Sequence, residues 1–144
     1  MASRAERVGR DSFAAWNSHD VDRIASFYTE DCVHEDVAVG AVIHGVQELK
    51  KTLSGLFIWS PDVRLDLAAC FGAGNDAASE WTMSGTHRGT APEVSVPATG
   101  KHFSVKGASV YRLRDGMISR DCDYWNLASF LQQVGLLSVP TRNP

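Results

Sequence analysis

The sequence predicts an α+β fold: helices cupped against one curved antiparallel sheet, enclosing a mostly apolar pocket. Three observations carry this. The first sixty residues contain three stretches with helical apolar spacing. From residue 63 the period changes to strict alternation, the mark of half-buried strands. Tight turn signals, Gly72 to Asp76 and the dipeptide Asp115-Gly116, then join those strands into hairpins.

Taken in order, residues 5–17 read as a first helix, with Val8, Phe13, Ala15 and Trp16 on its apolar side. Asp20 is placed to cap a second, residues 21–28. Residues 32–37 form a short extended segment, and Gly40 and Gly45 flank a loop or hairpin. Residues 46–57 carry Leu49, Leu53, Leu56 and Phe57 at helical spacing, giving a third helix. A first long strand starts at Val63, a second covers 77–87, a third 101–114 and a fourth 117–126. Residues 88–100 are loop-like, residues 127–134 a short closing helix, and 140–144 a loose tail. Helices segregated to one face of a meander must curl the sheet around them, and the concavity left over is the natural ligand pocket.

Composition bounds the function. The 144 residues suit a single domain, 1–144, able to bury a core without staples. The formal net charge of −3 and the scattered Lys and Arg argue against nucleic acid. Cys32, Cys70 and Cys122 have no pairing motif, so neither structural zinc nor a disulfide framework is expected. No apolar leader or membrane-length run is present, which makes a cytoplasmic protein the expectation. No phosphate loop and no metal constellation stand out, so no cofactor and no metal are expected.

Several segments, in the right order along nearly the whole chain, resemble one family. They are Trp16-Asn17-Ser18-His19-Asp20-Val21-Asp22, Tyr28-Thr29-Glu30-Asp31-Cys32-Val33-His34, Gly85-Thr86-His87-Arg88-Gly89, Arg114-Asp115-Gly116-Met117-Ile118 and Leu131-Gln132-Gln133-Val134-Gly135. This is similar to the SnoaL-like polyketide cyclases of the nuclear-transport-factor-2-like superfamily. The resemblance implies a cone-shaped fold, three N-terminal helices on a curved antiparallel sheet and a short C-terminal helix. It also implies a small hydrophobic substrate and a homodimer.

The same resemblance suggests chemistry residue by residue. The cyclases carry an acid/base Asp before the last helix; the matching residue here is Asn126. An amide cannot shuttle a proton at neutral pH, although it can donate a hydrogen bond to an oxyanion. Limonene-epoxide hydrolases need an Arg and an Asp where this chain has Trp81 and Met83, which excludes that activity. Ketosteroid isomerases place their base where Asp36 stands, with oxyanion donors at the positions of Ser12 and Ser109. The expected catalytic set is therefore His34 and Asp36 for proton transfer, with Tyr124 and Asn126 holding the oxyanion. Trp16, Phe27, Tyr28, Trp59, Trp81 and His87 are the expected substrate-binding set. Strand alternation with the family pattern puts Cys122, Tyr124 and Asn126 inside and Asp121, Asp123 and Trp125 outside; a register slip of one would exchange the two faces. Two functions stay open. One is a cofactor-free cyclase or isomerase acting on a polyketide-like or steroid-like carbonyl compound. The other is a non-catalytic small-molecule binder, favoured by Asn126.

Overall fold

The computed structural model describes residues 1–89 and 97–138. The chain order is α1 (Arg4–Trp16), α2 (Val21–Ala25), β1 (Tyr28–Asp36), β2 (Ala41–His44), α3 (Val46–Trp59), β3 (Arg64–Ala73), β4 (Asp76–Thr86), β5 (His102–Arg114), β6 (Met117–Trp125) and α4 (Leu127–Gln133). The fold is the expected α+β cone. Of the expected loop at 88–100, residues 90–96 lie outside the described residues, as does the 140–144 tail.

Local chemistry explains the helix starts. Ser3, Asp20 and Asn126 each cap a helix, their side chains accepting from the backbone N–H of Glu6, Arg23 and Ser129. The second helix is shorter than expected. It ends at Ala25, and Tyr28 opens β1 instead of closing the helix. The Gly40–Gly45 segment resolves into a hairpin, with β2 pairing antiparallel to β1. Asp115 and Gly116 both have positive φ, 53° and 79°, as a two-residue type I′ hairpin requires.

One six-stranded sheet runs in the order β2-β1-β6-β5-β4-β3. Strands β3 to β6 form an antiparallel meander. Strand β1 joins the far side of β6 in parallel, pairing His34 with Asp121 and Asp36 with Asp123. Three rows of neighbouring residues therefore cross the inner face. His34, Asp121, Tyr111 and Ala77 form one. Asp36, Asp123, Ser109 and Ser79 form the next. Trp125, Gly107, Trp81 and Leu67 form the third.

A bulge decides which side of β6 faces inward. Leu113 pairs with Ile118, but Arg112 pairs with Arg120, leaving Ser119 as the extra residue. Uninterrupted alternation from the buried Ile118 would turn residues 120, 122 and 124 inward. The extra residue exchanges the faces, so Asp121, Asp123 and Trp125 point in. The inward assignment of Cys122, Tyr124 and Asn126 is corrected accordingly.

The apolar interior falls into two clusters. One, under α1, α2 and α3, contains Ile24, Leu49, Leu53, Tyr111 and Ile118. The other joins Phe103, Val105, Phe130 and Val134, with Trp59 and Trp125 packed against it. On the outer face, Phe71, Ala78, Val110 and Cys122 lie in one cross-strand row, with Phe71 and Val110 exposed. The free edge of β3 is covered by α1. Asn17 at its end both donates to the Leu65 carbonyl (2.7 Å) and accepts from the Leu65 N–H (2.8 Å). No helix among the described residues is long and apolar enough to cross a membrane.

Gly107 positions the third row. A Cβ there would overlap the Trp81 ring. Gly107→Val is expected to displace that indole and to destabilise the fold by about 1–3 kcal/mol. Urea denaturation checks the cost, and tryptophan emission checks the displacement.

Candidate functional site

Between the two apolar clusters lies a cavity of about 180 Å³. Its wall is largely apolar, and its charged side chains all stand on the inner rows of β1 and β6. There one imidazole stands between two aspartates. His34 Nδ1–H donates to Asp121 Oδ1 at 2.7 Å, and His34 Nε2 lies 3.7 Å from Asp123 Oδ2. The remaining oxygens of both aspartates are held by hydroxyls. Tyr28 donates to Asp121 Oδ2 (2.9 Å), and Ser109 donates to Asp123 Oδ1 (2.6 Å). Ser109 in turn accepts from the Trp81 indole N–H (2.9 Å). A hydroxyl has one proton, so with the indole donating to it, the Ser109 proton is free to go to Asp123.

The electrostatics follow from this arrangement. Burial opposes a charged His34, which is 6% exposed. The Asp121 hydrogen bond and the charges of Asp121, Asp123 and Asp36 outweigh it and raise the imidazole to about 9. Burial pushes the Asp123 carboxyl up to about 7. Asp121 and Asp36 add to that push, while His34 and the Ser109 hydrogen bond act against it. Burial, with Asp121 and Asp123 nearby, holds the Tyr28 phenol well above its usual range, so it stays a donor. Near neutral pH the site therefore combines an imidazolium with a carboxyl group poised to gain or lose a proton.

Of the residues expected from the sequence, His34, Asp36, Trp16, Tyr28, Trp59 and Trp81 line this cavity. Asp36 accepts from the Trp125 indole N–H at 2.9 Å. The other four do not line it. Tyr124 is 49% exposed on the outer face, because the Ser119 bulge turns it there. Asn126 spends its side-chain oxygen capping α4. Phe27 packs into the cluster beneath the helices, because the turn after Ile24 gives the cavity side to Tyr28. His87 is 1% exposed and sits behind Trp59 and Phe130, with ring centroids at 5.2 and 6.2 Å, beyond the cavity wall.

Asp121, Asp123 and Trp125 are what the sequence reading placed on the wrong face, and Ser109 gained its role only through them. The available signal was parity: both aspartates share a face with Trp125 and alternate with Cys122 and Tyr124. Among the described residues, no group of three or more His, Cys, Asp and Glu side chains is arranged to hold a metal ion.

A family model described as a SnoaL-like domain matches residues 10–121. The chain belongs to the SnoaL-like family. Solved structures similar to this SnoaL-like chain share its fold. A candidate SnoaL-like polyketide cyclase from Jannaschia sp. CCS1 superposes with a TM-score of 0.82 at 14% identity, over 94% of each chain. AclR, a candidate hydroxylase from Streptomyces galilaeus, gives 0.80 at 22% identity, covering 96% of this chain and 89% of its own. A protein of ketosteroid isomerase-like fold from Catenulispora acidiphila, solved in complex with trimethylamine, gives 0.77 at 24% identity, over 92% and 97%. No curated protein sequence matches the chain.

Two substitutions check these assignments. In Asp121→Asn, His34 loses its hydrogen-bonded carboxylate and only Asp123 and Asp36 are left to oppose burial, so its pKa is expected to fall well below about 9. Imidazole titration by NMR reads the shift. Stability should follow the same sign. The raised pKa stabilises the wild type fully below pH 6.5, and that contribution is lost as pH rises through about 9. The variant should lack this alkaline decline. Asn126→Ala should cost about 1 kcal/mol through the lost cap, whereas Asn126→Asp keeps it. Thermal unfolding of the pair distinguishes capping from a role at the cavity.

Proposed function

We propose that the protein is a cofactor-free acid/base enzyme, a cyclase or isomerase acting on a small hydrophobic carbonyl compound. The observation that supports this reading is the single imidazole held between Asp121 and Asp123 on the wall of an apolar cavity.

In this reading Asp123 Oδ2 removes a proton from the carbon next to the substrate carbonyl. The electron pair moves onto the carbonyl oxygen, where the His34 Nε2–H donates to the developing oxyanion. Asp121 holds the ring through Nδ1 and stabilises its positive charge, and Tyr28 holds Asp121. Asp123 then returns the proton at a different carbon in an isomerisation. In a cyclisation the enolate carbon attacks a second carbonyl instead, and the alkoxide formed there takes the proton that Asp123 removed. The 3.7 Å gap between His34 and Asp123 leaves their facing atoms available to substrate. Asp36 and Trp125 complete the acidic end of the wall.

The binding-only reading drew on Asn126 standing where the cyclases carry an aspartate. That side chain caps a helix, so its identity says little about proton transfer at the cavity. The homodimer and the small hydrophobic substrate remain part of the proposal; the exposed apolar row on the outer face supports pairing of two copies.

The test is α-proton exchange into deuterated water, followed by NMR on a panel of flat cyclic ketones and lactones. Exchange should need an ionised Asp123 and a protonated His34. The rate should therefore rise through pH about 7 and fall through about 9. Asp123→Asn should lose about 10²–10⁴-fold. Absence of exchange across the panel, or a profile without the limb near 7, would sink the assignment.

A further inference from the structure

The four tryptophans of the chain, Trp16, Trp59, Trp81 and Trp125, all line one cavity. Three aspartates, Asp36, Asp121 and Asp123, share that wall with one imidazole. Among the described residues, neither Lys nor Arg joins them. An apolar box with this charge balance is unusual for a ligand that offers only carbonyl oxygens.

A count of donors and acceptors sharpens the point. Six donor side chains of the wall are spent within the protein. The indoles of Trp81 and Trp125 go to Ser109 and Asp36, and the hydroxyls of Tyr28 and Ser109 go to Asp121 and Asp123. The Ser12 hydroxyl goes to the Gly9 carbonyl, and the Asn17 amide to the Leu65 carbonyl. His34 Nε2–H is left for the ligand, together with the indole N–H groups of Trp16 and Trp59, which make no hydrogen bond among the described residues. Acceptors are in surplus. Asp36 Oδ2 accepts no hydrogen bond among the described residues, and Asp123 Oδ2 has only the His34 contact at 3.7 Å. These two carboxylates are neighbours across the β1–β6 pairing.

Such a wall can meet a carbonyl oxygen at His34, and its paired free carboxylate oxygens make a separate place for positive charge. Aromatic faces carry negative potential and attract ammonium groups, most strongly when the group is shielded from water. Carboxylates in the same box add to that attraction. We propose that the cavity selects a ligand carrying an organic ammonium group, held by Asp36, Asp123 and the indole faces beside the carbonyl that meets His34. This deepens the acid/base reading and rests on it for calling the ligand a substrate. The cation preference itself is measured without turnover.

The probes are choline and its neutral isostere 3,3-dimethylbutan-1-ol, titrated into the full chain and followed by tryptophan fluorescence. Choline should bind at least about tenfold more tightly than the alcohol. Asp36→Asn and Asp123→Asn should each weaken choline at least about fivefold and leave the alcohol unchanged. If one variant fails to fold, the other decides. Equal or tighter binding of the alcohol, no saturable choline signal, or choline affinity unmoved by the substitutions would overturn the inference. Choline preference without proton exchange would remove the enzyme reading alone. Proton exchange without choline preference would remove this inference alone.

Discussion

The cavity wall depends on the parallel pairing of β1 with β6. These strands are far apart in the chain, and they bring His34 opposite Asp121 and Asp36 opposite Asp123. Without that pairing the imidazole has no buried carboxylate, and its charge could not survive burial. The ionised states of His34 and Asp123 are thus properties of a strand register more than of either residue. Tyr28 and Ser109 reinforce this, each occupying the oxygen that would otherwise leave an aspartate free to rotate.

The second requirement is shape. Row three of the inner face places Trp81 over Gly107, where no side chain competes for space. The indole reaches Ser109 from that position, and Ser109 reaches Asp123. A missing Cβ on one strand is therefore linked, through two hydrogen bonds, to the group proposed as the base. The same ring belongs to the apolar wall. Packing and proton chemistry share atoms here, so a change to either is felt by both.

Much of this fold was legible in the sequence because its signals are local. Caps at Asp20, apolar spacing in residues 46–57, alternation after Val63 and the Asp115-Gly116 turn all act within a few residues. The candidate site was only half legible. His34 and Asp36 were found through resemblance, but their partners depend on a contact between distant strands. The facing of β6 turns on one extra residue at Ser119, which no Gly or Pro marks. Such a bulge inverts every later residue of the strand, so a single unseen residue moved Asp121, Asp123 and Trp125 to the wrong side and Tyr124 to the inside. Asn126 was misread differently: its amide serves the first turn of α4, a task that a strand pattern does not show.

The Asn17 contact at the rim of the sheet has a consequence for how copies of this chain meet. Its side-chain amide presents an N–H and a C=O to Leu65 as a neighbouring strand would. An exposed strand edge is a template for runaway pairing between molecules. Here one amide occupies both backbone groups of Leu65, and Arg10 occupies the Cys70 carbonyl further along. The helix that roofs the cavity thus also guards the sheet against fibrous self-assembly along β3.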